Sequence, residues 1–159
     1  MAETVSYPSE LFPAPPTVSL TVPDAWSALP LPEVVVAVAT EHAADEFRPT
    51  VVVAVSRNPT DFTLEVALAA IAEKLIGLTE REEVVNVPTE IAGFAAQRVE
   101  VTFSDPRVGT IAQAVTFVLV PNGPVVDLVQ ITGSCSAGQI EATFGEIRGI
   151  LSSAIVAKP

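Results

Sequence analysis

The sequence predicts an α+β fold: an α/β/α sandwich whose largely antiparallel sheet of six to seven strands is flanked by two main helices. Three observations carry this. Val- and Ala-rich runs of strand length are apolar on both faces, as in a sheet covered on both sides. The later runs are joined by short turn-rich connectors, which predict an antiparallel meander. Two longer segments repeat apolar residues at helical spacing and supply the cover.

The chain has 159 residues, the length of one domain. Residues 1–16 carry Pro8, Pro13, Pro15 and Pro16 and read as an extended arm, with Tyr7, Leu11 and Phe12 as its apolar tethers. A single domain then spans 17–159. "TVSLTV" (17–22) alternates and stops at Pro23. "EVVVAVAT" (33–40) and "TVVVAVS" (50–56) are nearly continuous Val and Ala. Between them "EHAADEFRP" is a polar connector, with Phe47 turning back to the core and Pro49 leading into the next strand. Further strands are predicted at 82–88, 94–103, 110–120 and 125–132, and Asn122-Gly123 is a strong hairpin signal. Along 33–40, Val34, Val36 and Val38 oppose Val35, Ala37 and Ala39. Along 110–120, Ile111, Val115, Phe117 and Leu119 oppose Ala112, Ala114, Val118 and Val120. Both faces of these central strands are therefore expected to be covered.

The first helix is predicted over 63–77, with a stripe of Leu64, Leu68, Ile71 and Leu75, Thr63 as N-cap and Gly77 as its stop. The second is predicted over 136–155, with Ile140, Phe144, Ile147 and Leu151 as its stripe and Ser136/Gln139 at capping-box spacing.

These elements resemble a known family. "VPDAW" (22–26) resembles the Pro-x-x-Trp element after the first strand of PsbP-like domains. "FRPTVVVAVSRNPTDFTLEVALAAIAEKL" is similar to the valine strand and following helix of the actinobacterial LpqN/LpqT type. The meander and last helix, 94–153, fit the same order of elements, so the resemblance covers about 17–155. It implies an antiparallel sheet flanked by helices and a role in binding proteins, and it brings no shared catalytic motif. The LpqN type are envelope lipoproteins. This N-terminus shows neither the basic start and apolar core of a signal peptide nor a lipid-bearing cysteine, so a cytoplasmic location is expected, or an envelope or secreted one if a signal has been removed.

Composition narrows the partners. Charged residues are 17% and apolar residues 49%, with a mean hydropathy of +0.48. That leaves little charge to coat the surface, and suggests that some of it lies in an interface. No apolar run approaches the ~18 residues of a membrane-spanning helix. The net charge of −11 argues against nucleic acid, whose binding rests on Lys and Arg. The single cysteine excludes an intrachain disulfide.

Catalytic chemistry finds few residues. His42, the only histidine, sits with Asp45 and Glu46, short of the ligand set of a zinc site, and reads as part of a solvated connector. Cys135 in "GSCSAG" precedes a helix N-terminus, where thiols are activated. Its only imidazole base would be His42, and it reads instead as a small, partly buried residue at a strand-to-helix turn. The same "GSCSAG" lacks the lysine and spacing of a P-loop. Glu82-Glu83 and Asp45-Glu46 read as solvated charge, and no G-x-S-x-G elbow is present. No catalytic residue, metal or cofactor is expected.

One pattern stands out. Gly138, Ala142, Gly145, Gly149 and Ser152 lie opposite the apolar stripe of the second helix, where charge is usual. Gly in a helix interior costs about 1 kcal/mol relative to Ala, so two of them ask for a reason. On the first helix Val66, Ala69, Ala70 and Ile76 also lie off the stripe. The expected function is a non-enzymatic protein-binding or assembly module, a homodimer or complex subunit, with these faces as its interaction surface. The alternative is a small apolar ligand held between sheet and helix. A third reading is an enzyme using Cys135 or His42.

Overall fold

The computed structural model describes residues 1–42 and 45–159. The side chains expected of Leu75 and Ile76, and the connector positions Ala43 and Ala44, lie outside the described residues. The strands are β1 (Thr17–Ser19), β2 (Trp26–Ala28), β3 (Val36–Thr40), β4 (Thr50–Asn58), β5 (Thr79–Ile91), β6 (Phe94–Asp105), β7 (Gly109–Asn122), β8 (Val125–Ser136) and β9 (Ile155–Ala157). The helices are α1 (Leu64–Ile76) and α2 (Gly145–Ser152).

Seven strands form one antiparallel sheet in the order β2-β3-β4-β8-β7-β6-β5. The expected meander is its largest part. Asn122 pairs with Val125 around a turn in which Gly123 has a φ of +63°. A second hairpin joins β5 to β6 through Ala92 and Gly93, at φ +51° and +85°. Both central residues are left-handed, as a type I′ turn requires.

Register sorts the side chains onto two faces. Val51, Val53, Val129 and Ile131 face α2, with Ala112, Ala114 and Val118, and make the larger core with Phe144, Ile147, Ile150 and Leu151. Val99, Val101, Val115, Phe117 and Leu128 face α1, with Ala67. The first face is floored by small residues, so α2 sits close and its Ile147 and Ile150 are almost fully buried. The second is floored by larger side chains, and among the described residues of α1 only Ala67 is buried.

Both faces of β7 are covered as expected, and so are Ala37 and Ala39 on the α1 side of β3, but the cover is unequal. On the α1 side Val35, Ala54 and Ser56 are exposed, because α1 lies over β6–β8 and not over β3 and β4. Val34 and Val35 also precede the strand, which begins at Val36.

The second helix differs from the expected 136–155. Ser136 still belongs to β8, and Ala137–Gln139 form a 3₁₀ turn followed by a π turn at Ile140–Phe144. The Gln139 carboxamide oxygen accepts the Ser136 N–H at 2.9 Å. The α-helix ends where the Ser153 hydroxyl donates to Ile150 O and also accepts the Thr21 N–H at 2.9 Å. The chain then leaves as β9, which pairs with β1. Residues 17–19 and 155–157 thus make a short two-stranded cover on the α2 side. Thr63 caps α1 as expected, its hydroxyl accepting the Val66 N–H at 3.3 Å.

The proline-rich segment is seated at its C-terminal end. Ala14 O accepts from Asn122 Nδ2 at 2.8 Å, and Pro16 is buried. Further out, Val5, Tyr7, Leu11 and Phe12 are exposed.

Candidate functional site: the outer helix faces and the cleft beneath α1

The residues singled out from sequence reach the surface wherever their side chains are described. Val66, Ala69 and Ala70 are exposed on α1, and Val66 is 51% exposed. Gly138, Ala142, Gly145, Gly149 and Ser152 are exposed on the C-terminal helical segment. A Cβ built on Gly138, Gly145 or Gly149 meets nothing within 4 Å, so no part of the domain presses on these glycines. The two faces lie on opposite sides of the sheet and form two separate surfaces.

Both sheet edges are blunted against strand addition. β5 carries Pro88, two register shifts and the charged run Glu80 to Glu83. β2 is three residues long, between Pro23 and Pro30.

A cleft of about 360 Å³ lies between the C-terminal half of α1 and the sheet. Val99, Val101, Val115 and Phe117 form its apolar floor, and Ile71 and Leu78 its roof. Gln113, Gln130 and Thr132 add a neutral polar strip along one side, and the Gln113 amide donates to Ser134 Oγ at 3.1 Å. Among the described residues Lys74 is the only charged one lining it, and it is exposed. Along β7 and β8, Gln113, Gln130 and Thr132 interrupt an otherwise apolar face.

Two ion pairs stiffen the opposite side. Arg148 on α2 holds the buried Glu100 with two bonds of 2.7 and 2.9 Å and stacks 4.6 Å from the Phe144 ring centroid. Arg57 grips the fully buried Asp127 at 2.9 and 3.1 Å, and Asn122 donates to the same carboxylate. Trp26 is buried, and its indole N–H donates to Glu146 at 3.3 Å.

The residues weighed for catalysis are scattered. His42, Asp45 and Glu46 are exposed, and Glu46 accepts from the Gln139 amide at 3.3 Å. Cys135 lies in β8 facing α2, fully buried, and burial pushes its thiol pKa up. Among the described residues no group of three or more His, Cys, Asp or Glu is placed to hold a metal.

The sequence profile of the family described as "Probable lipoprotein LpqN" matches residues 9–157. The chain belongs to the Lpp-LpqN family. No curated protein matches it at the sequence level. The structure of LpqN, involved in cell envelope biogenesis of Mycobacterium tuberculosis, is similar with a TM-score of 0.77 at 19% identity, over 91% of this chain and 86% of that one. Cyanobacterial PsbP from Synechocystis is similar at a TM-score of 0.58 and 14% identity, over 97% and 98%. The Ran-binding protein Mog1p of Saccharomyces cerevisiae is similar at 0.54 and 12%, over 86% and 88%. These likenesses establish the LpqN-type, PsbP-like fold, and none of the three is named as an enzyme. Membership in a family of probable lipoproteins overturns the cytoplasmic expectation, which rested on the look of the first residues alone. No described helix is long and apolar enough to cross a membrane.

Proposed function

We propose that this Lpp-LpqN family member is a non-enzymatic protein-binding module of the cell envelope. The observation that carries it is the pair of outer helix faces built mainly of small and apolar residues: Val66, Ala69 and Ala70 on α1, around the single charge of Glu73, and Gly145 and Gly149 on α2, flanked by Glu141 and Arg148. A solvated helix face is ordinarily charged, and glycines with open space above their Cα atoms serve close approach by something outside the domain. Mog1p, which shares the fold, is named as a Ran-binding protein. Introducing glutamate at these positions and measuring partner capture tests the reading.

A second reading, a small apolar ligand, is favoured by the cleft under α1. Its 360 Å³ falls within the roughly 300–1,000 Å³ of ligand pockets, and it has the apolar walls and few polar groups such pockets share.

A further inference from the structure

Two parts of the molecule complement each other without touching. The cleft under α1 is largely apolar beside its strip of neutral polar side chains, and among the described residues it has one charged residue on its lining, Lys74. Its 360 Å³ is large enough to take a leucine and a phenylalanine side chain together. The N-terminal arm presents such a pair. Leu11 is 70% and Phe12 47% exposed, and Glu10 precedes them with the charge opposite to Lys74. Exposed large apolar residues side by side, beside a glutamate, make a compact plug.

The arm cannot fill its own cleft. Ala14 is held on Asn122, on the α2 side of the sheet. Phe12 is two residues away, a reach of about 7 Å at ~3.3–3.6 Å per residue. Phe117 in the cleft floor is five residues from Asn122 along β7, about 17 Å, and points to the opposite face. The complement must come from another molecule.

We infer that two copies of this chain exchange arms, Leu11 and Phe12 of each seating in the cleft beneath α1 of the other with Glu10 against Lys74. This goes beyond the protein-binding reading, because it uses the cleft and not the outer helix faces. Net charge of −11 opposes pairing of two copies through most surfaces. Here the contact is apolar and its one charged pair is of opposite sign.

Sedimentation equilibrium of the full chain, at moderate salt, tests it. The expected result is a concentration-dependent dimer. Phe12→Ser should raise its Kd about thirtyfold, the scale of an aromatic anchor. Lys74→Glu and Glu10→Lys should each weaken it several-fold, and the two together should restore it. All three side chains are exposed, so the fold is spared and circular dichroism serves as control. A full chain that stays monomeric at high concentration overturns the inference. So does a dimer indifferent to Phe12→Ser, or a double reversal that fails to rescue. If the dye 1-anilinonaphthalene-8-sulfonate binds wild type and Phe12→Ser equally at dimer-forming concentrations, the cleft is free in both and the inference is also overturned. None of these outcomes touches the outer-face reading, which rests on crosslinking from other positions.

Discussion

The Cγ2 methyl of Ile147 on α2 stands where a side chain on Gly133 of β8 would stand. A Cβ there would overlap that methyl and come within 3.4 Å of Ile147 Cβ and Val51 Cγ2. Gly133 therefore sets how closely the helix approaches the sheet, and it lies in a strand rather than in a strand-to-helix turn. Gly133→Ala should destabilise the domain by roughly 1–3 kcal/mol, the usual cost of overpacking. Urea denaturation checks this. Ile147→Leu in the same chain removes the β-branch and with it that methyl, and should recover part of the loss, so the pair is less than additive.

Cys135 is buried behind the same helix, and its thiol is shifted away from ionisation. A raised thiol pKa means less thiolate at neutral pH, and burial removes access. Labelling of the native protein with a maleimide near pH 7.5 should be far slower than that of a model peptide, and should become fast in denaturant. Rapid native labelling would revive the thiol-enzyme reading.

Asp127 is fully buried and accepts from Arg57 and Asn122, while Asn122 also holds Ala14. Arg57 keeps contact with water, so losing its partner leaves no dry orphan charge. Asp127→Ala should cost roughly 1.5–3 kcal/mol, the worth of hydrogen bonds to a charged group. Asn122→Ala should cost about 1 kcal/mol and free the arm. Limited proteolysis should then cut within residues 1–16 faster than in wild type, with the rest of the domain resistant.

How far these features could be read from sequence depended on their locality. The strands β4 to β8 and the Asn122-Gly123 turn were legible, because apolar runs and turn chemistry are local signals. The Ala92-Gly93 turn was weaker, since alanine rarely takes a positive φ. β2 and β9 were not legible: three residues show no periodicity, and β9 pairs with β1 from the far end of the chain. The break of the last helix into 3₁₀, π and α turns follows from tertiary bonds to Phe47 and Thr21, which no helical pattern encodes. The outer faces were readable at 100° per residue. The cleft was not, because alternation shows that a strand face is apolar without showing how near its helix lies.

The cleft makes its own prediction. Val115→Phe places a larger side chain in its floor and should reduce binding of a hydrophobic dye several-fold, measured by fluorescence at dilutions that favour monomer. Unchanged dye binding would place any ligand site elsewhere.

The most direct measurement for the protein-binding account is photo-crosslinking in envelope membranes of the native host, from probes at Val66 and Gly149, with Arg107 as an exposed control. The account predicts a discrete protein adduct from at least one helix position, none from position 107, and its loss when Ala70→Glu or Gly145→Glu is added on the same face. Adducts that are absent from both helix positions, or that persist unchanged beside the new glutamate, would contradict it.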